Sequence, residues 1–152
     1  MSSVIFKRTR SIRNSLWHGS SDDLRVLIED SDYARASSIG KVLSDSGYES
    51  VICNGPEDLL RTHCPLVEEG RCSAVSLANI IIFGFDLEKS QSQDILLALQ
   101  VRARTTPIIV LLGEHPTSSE SLISEEFLAL APPFTRQRVI AALDQAKAKI
   151  QE

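Results

Sequence analysis

The chain has 152 residues, 43% of them hydrophobic and 24% charged, with a net charge of −4. That composition excludes a disordered chain, and the length fits one domain able to bury a sizeable core. The longest uncharged apolar run, around Ile80 to Phe85, is far shorter than the roughly 20 residues of a membrane span, so a cytoplasmic protein with no membrane span is expected.

Residues 1–21 hold Lys7, Arg8, Arg10 and Arg13 and no acid, which leaves −8 on the remainder. We read them as a basic, disordered tail ahead of one domain over 22–152. Such a tail suits nucleic acid, an anionic membrane or a targeting receptor, and the residues alone do not choose. Trp17 and His18 are candidates to pack back on the domain. No direct nucleic-acid binding is expected from the acidic domain itself.

From Leu24 onward, short apolar runs alternate with helical patterns, the mark of βαβ units. Leu24 to Ile28 reads as a strand, after which Ser31 or Asp32 can cap a helix that ends at Gly47. Tyr48 to Cys53 is a second strand, and Glu57 to His63 starts a helix that Pro65 disturbs. Asn79 to Phe83 is a third strand, followed by a helix over Asp94 to Ala103. Ile108 to Leu112 is a fourth, followed by a short helix between Thr117 and Glu125. Phe127 to Ala131 is a fifth, and Thr135 caps a last helix with Val139, Leu143, Ala146 and Ile150 on one stripe. Near-continuous Ile, Val and Leu runs mean strands covered on both faces. The predicted fold is α/β: a doubly wound, five-stranded parallel sheet flanked by five helices.

Cys53, Cys64 and Cys72 show no C-x-x-C spacing, so no zinc pattern or disulfide framework is indicated. His63, Cys64 and Cys72 lie close enough in sequence to leave a metal or a local disulfide open, against the plain reading of small buried hydrophobes. No cofactor is expected. G-x-G-x-x-G, the P-loop, G-x-S-x-G and H-E-x-x-H are all absent from the sequence.

Arg25-Val26-Leu27-Ile28-Glu29-Asp30-Ser31, followed at the right distance by Ser46-Gly47-Tyr48-Glu49, resembles the receiver domains of two-component response regulators, the CheY-like family. Thr106-Pro107-Ile108-Ile109-Val110-Leu111 is similar to that family's fourth strand. Pro132-Pro133-Phe134 stands where its Lys-Pro-Phe is expected, with an X-Pro bond that the family commonly holds cis. The likeness covers residues 24–150.

The resemblance implies a phosphorylation pocket that this chain has lost. The family's phosphoacceptor aspartate at the end of strand three is here Gly84. Of the acidic pair that holds magnesium, Asp30 remains and Ser31 replaces the second acid. The hydroxyl residue after strand four is Leu112, the lysine after strand five is Pro132, and the aromatic switch position falls near Ala129. Glu29 cannot stand in, because neighbouring side chains alternate along a strand. The ordinary reading of Asp30 is then a solvated or helix-capping carboxylate. Asp86, two residues past Gly84, is the one possible alternative phosphoacceptor.

The expectation is a non-enzymatic pseudo-receiver that acts on a protein partner in signalling or regulation. By the resemblance it would do so through the face of the fourth helix, fifth strand and fifth helix, with a homodimer as one form. Two other readings stay open: an atypical receiver still phosphorylated or ligand-responsive, and a small-molecule-binding domain using the emptied pocket. Thr62 to Leu77, longer than the resemblance leads one to expect, reads as a surface insertion, either an inert elaboration or a binding feature specific to this protein.

Overall fold

A computed structural model describes residue 17 and residues 22–55, 64–115 and 121–151. The elements are β1 (Arg25–Glu29), α1 (Tyr33–Asp45), β2 (Glu49–Cys53), α2 (Pro65–Glu69), α3 (Ser73–Leu77), β3 (Ile80–Phe83), α4 (Ser90–Arg102), β4 (Ile108–Leu111), β5 (Leu128–Leu130) and α5 (Arg136–Gln151). All four strand pairings are parallel, in the order β2-β1-β3-β4-β5.

Each central strand sends alternate side chains to opposite layers. Val26, Ile28, Ile80, Ile82, Ile109 and Leu111 meet Ala36, Ile39 and Leu43 of α1 and Val139, Leu143 and Ala146 of α5. Leu27, Ile81, Phe83, Ile108 and Val110 meet α2, α3 and α4 through Leu66, Ala74, Val75, Ile95, Leu96 and Leu99. Because β1 and β3 are covered on both faces, Val26 to Ile28 and Ile80 to Phe83 are unbroken apolar runs.

Local chemistry sets the boundaries. Asp32 caps α1 by accepting from the Arg35 backbone N–H at 3.1 Å. The helix ends where Gly47, at φ 87°, turns the chain and Tyr48 N–H bonds back to the Leu43 carbonyl at 2.9 Å. The start of α4 lies four residues before the predicted one. Its polar opening, Ser90-Gln91-Ser92-Gln93, carries no apolar period, yet Ser92 is buried and Gln93 Nε2 donates to the Leu87 carbonyl. At the far end of α5, Val139, Leu143 and Ala146 are buried, whereas Ile150 runs past the core and is 40% exposed.

The crossover from β2 to β3 departs most from expectation. Glu57 to His63 lies outside the described residues. Beyond it, the supposed surface insertion forms the two short helices α2 and α3, and Leu66, Ala74 and Val75 are buried against the sheet. This stretch is part of the core cover. Cys53, Cys64 and Cys72 are in no disulfide, half-buried and packed against the same layer, and the described residues hold no group of three or more His, Cys, Asp or Glu side chains placed to bind a metal ion. The helix expected over Thr117 to Glu125 lies partly outside the described residues. Its described part is one 3₁₀ turn at Ser121 and Leu122.

Trp17, within the segment set apart as a tail, is only 4% exposed and belongs to the core cluster under α2, α3 and α4. No helix among the described residues is long and apolar enough to cross a membrane.

Candidate functional site

The strand order reverses direction between β1 and β3, which opens a crevice at their carboxyl ends, where open α/β sheets usually bind ligands. Asp30 follows β1 there, and Gly84 follows β3. Backbone bonds carry the ladder out to both: Gly84 N–H donates to the Glu29 carbonyl of β1 at 2.6 Å, and Asp30 N–H to the Cys53 carbonyl of β2 at 3.0 Å.

Asp30 is fully buried, which overturns the reading of a solvated carboxylate, and Asp32 rather than Asp30 caps α1. A guanidinium compensates the buried charge. Arg35 Nε donates to Asp30 Oδ2 at 2.6 Å and Nη2 to Oδ1 at 2.8 Å, while Nη2 also reaches the Gly84 carbonyl at 2.9 Å. Asp32 N–H donates to Oδ1 at 3.0 Å. The carboxylate thus accepts three hydrogen bonds, two of them from a cation, the geometry in which such bonds are strongest. Bonding to Asp30 raises the Arg35 pKa above its ordinary value, against the opposing effect of burial. The guanidinium carbon also lies 5.7 Å from the centre of the Phe134 ring, a contact that adds cation–π attraction.

Gly84 is required here by space rather than by backbone conformation. A Cβ on it would lie 2.9 Å from Asp30 Cγ and Oδ2 and 3.1 Å from Leu111 Cδ1. The Asp30 carboxylate therefore fills the volume that a side chain at position 84 would need. Gly84→Ala is expected to cost about 1–3 kcal/mol through overpacking against groups that cannot retreat. Urea unfolding would measure it, and an unchanged midpoint would show that the neighbours give way.

The remaining predicted residues do not converge on Asp30. Leu112 donates its N–H to the Leu130 carbonyl at 2.9 Å and packs toward the α4 layer, so Leu111 is the leucine against Gly84. Pro132 precedes Pro133 through a cis peptide and is half-buried, and Ala129 is exposed. Ser31 and Asp86 are exposed and line a shallow cleft of about 30 Å³ with Asn54, Phe85, Lys89 and Ser92. Asp86 Oδ1 accepts from Glu88 N–H at 3.0 Å in a local turn. Sequence reasoning missed Arg35 and Phe134. Arg35 had a signal, since it stands five residues after a strand-end acid in the first turn of a capped helix.

One more titratable group lies close by but on the opposite face of β1. Glu29 is 4% exposed, its Oε1 has no hydrogen-bond partner, and burial pushes its pKa up to about 8.

Solved structures match this arrangement of strands, crossovers and strand-end loops over most of the chain. A CheY-like response regulator receiver domain from Methanospirillum hungatei JF-1 is similar with a TM-score of 0.63 and 17% identity, over 86% of this chain and 98% of that one. The fold is that of a CheY-like receiver. The signal receiver domain of an HD domain-containing protein from Pseudomonas fluorescens Pf-5 is similar with a TM-score of 0.64 and 19% identity, over 86% of this chain and 99% of that one. A receiver domain protein from Clostridium thermocellum gives 0.62 and 20%, over 85% and 99%. No protein-family model and no curated protein matches the sequence. The receiver likeness thus rests on the path of the backbone and on the short segments around Asp30, Thr106 and Pro132.

Proposed function

We propose that this receiver fold is a pseudo-receiver, a protein-interaction module in signalling or regulation that works without a phosphorylation cycle. The observation that carries it is the Asp30–Arg35 pair packed against Gly84. Glycine offers no nucleophile, and the carboxylate that would hold a dication is bonded instead by a guanidinium and a backbone N–H. In effect, an internal cation stands where an active receiver would bring in external charge. The same pair argues against a small molecule in the emptied pocket, since the space beside Gly84 is taken by protein atoms.

Titration with magnesium and a phosphoryl mimic such as beryllofluoride, followed by amide NMR, is expected to leave Asp30 to Arg35 and Gly84 to Asp86 unshifted. Saturable shifts centred on Asp86 would overturn this reading in favour of an atypical, phosphorylated receiver. That second reading has one observation in its favour: Asp86 is exposed and shares the shallow cleft with Lys89 and Ser31. The interaction role is tested by capture of a discrete protein partner with the full chain, followed by mapping of its footprint. By the resemblance, the footprint is expected on β5 and α5, with a second copy of this chain as one candidate partner.

A further inference from the structure

Helix α4 is apolar on two opposite sides. Ile95, Leu96 and Leu99 are buried in the core, and the helical repeat then places Asp94, Leu97 and Val101 in line on the outer side. Leu97 is 48% exposed and Val101 62% exposed. Scattered single apolar residues are ordinary on a surface, but these two are neighbours one turn apart on the ridge farthest from the sheet. Charges bracket them. Asp94 stands three residues before Leu97, and Arg104, in the turn directly after the helix, stands three residues after Val101; both are exposed. Arg102 is turned aside, with its guanidinium beside Gly70 at the end of α2.

These four residues are spaced evenly about position 99. Leu97 and Val101 lie two residues to either side of it, and Asp94 and Arg104 five. Two copies of α4 laid antiparallel about a two-fold axis at that position bring Leu97 of each against Val101 of the other, and Asp94 of each against Arg104 of the other. A parallel pair would set Asp94 against Asp94. We propose that the outer face of α4 is a self-association surface that pairs two copies of this chain about such an axis. A foreign partner imposes no such even spacing, whereas a two-fold contact must be complementary to itself. The face belongs to the layer opposite α5, so the pairing leaves β5 and α5 open to another protein, and the inference does not depend on the pseudo-receiver reading. Two aliphatic side chains per copy make a small contact, so the dimer is expected to be weak, with a sub-millimolar dissociation constant.

Sedimentation velocity and amide NMR on the full chain, over a concentration series reaching the millimolar range, test the pairing. Expected results are a monomer–dimer equilibrium, dilution shifts centred on α4, and weakening by at least about tenfold for Leu97→Glu. Asp94→Arg and Arg104→Asp should each weaken the dimer by about tenfold, because each sets like charges together at both ends of the contact. An equimolar mixture of those two variants should pair again, since the mixed dimer regains opposite charges at both ends. All three positions are exposed, so the urea midpoint of each variant should match the parent's, which separates loss of the contact from loss of the fold. A chain that stays monomeric at millimolar concentration, a dimer indifferent to Leu97→Glu, or a mixture no better associated than either charge variant alone would each overturn the proposal. So would dilution shifts confined to β5 and α5.

Discussion

Arg35→Ala is expected to destabilise the protein by about 3–5 kcal/mol, the usual cost of leaving a buried charge without its partner. Asp30 is fully buried and Arg35 supplies two of the three hydrogen bonds to its carboxylate. Without the guanidinium, the carboxylate must take up a proton or admit water, and the bond that ties α1 to the Gly84 carbonyl is lost as well. The double variant Asp30→Ala with Arg35→Ala should recover much of the loss, because it removes the orphaned charge together with its partner. Arg35→Lys should fall between, since an ammonium cannot form the two-pronged contact or stack as a guanidinium does on Phe134. Urea unfolding at neutral pH measures all three. A loss below about 1 kcal/mol for Arg35→Ala would show that the pair is no more than a surface bridge.

The second large effect is a pH dependence set by Glu29. Its folded-state pKa is raised from 4.5 to about 8, by burial alone. Below pH 4.5 the carboxyl is neutral in both states and carries no penalty. As pH rises from 4.5 to 8, the unfolded chain has released the proton while the folded protein retains it, so this residue lowers stability by about 1.4 kcal/mol per pH unit. Above about 8 both forms are ionised and the penalty levels off at several kcal/mol. Glu29→Gln should remove that slope, so that variant and wild type converge near pH 4.5 and diverge steadily toward pH 8. Parallel stability curves across that window would mean that Glu29 finds a partner or water in solution. The site tolerates a neutral carboxyl because Cys53, beside it on β2, and Phe83, on β3, present no charge.

The fold was legible in the sequence because two-sided burial writes itself as unbroken apolar runs, and Gly47 and Asp32 punctuate the first helix as their chemistry requires. Boundaries slipped where burial and periodicity part company, as at the polar start of α4 and the exposed Ile150. The β2–β3 crossover misled for another reason. Five-residue helices are too short to show a period, so α2 and α3 read as a loop although Leu66 and Val75 complete a core layer. At the site, the resemblance pointed to Gly84 but gave no sign of the Asp30–Arg35 pair packed against it. Asp30 and Arg35 stand five residues apart and left a local signal, but a sequence position holds no trace of the carboxylate lying over a neighbouring strand's glycine.

The space above Gly84 also orders the routes by which this chain could change. An aspartate introduced at position 84 would put its Cβ 2.9 Å from the Asp30 carboxyl. It would add a second negative charge where a single guanidinium already serves one. Such a change is disfavoured while the Asp30 carboxyl fills that volume, and loss of Arg35 would strand both carboxylates without a cation. Each single step toward an ordinary phosphoacceptor therefore leads downhill in stability before any activity is gained. Stability alone thus sets the order in which these positions can be changed: Asp30 and Arg35 together, and Gly84 only after them.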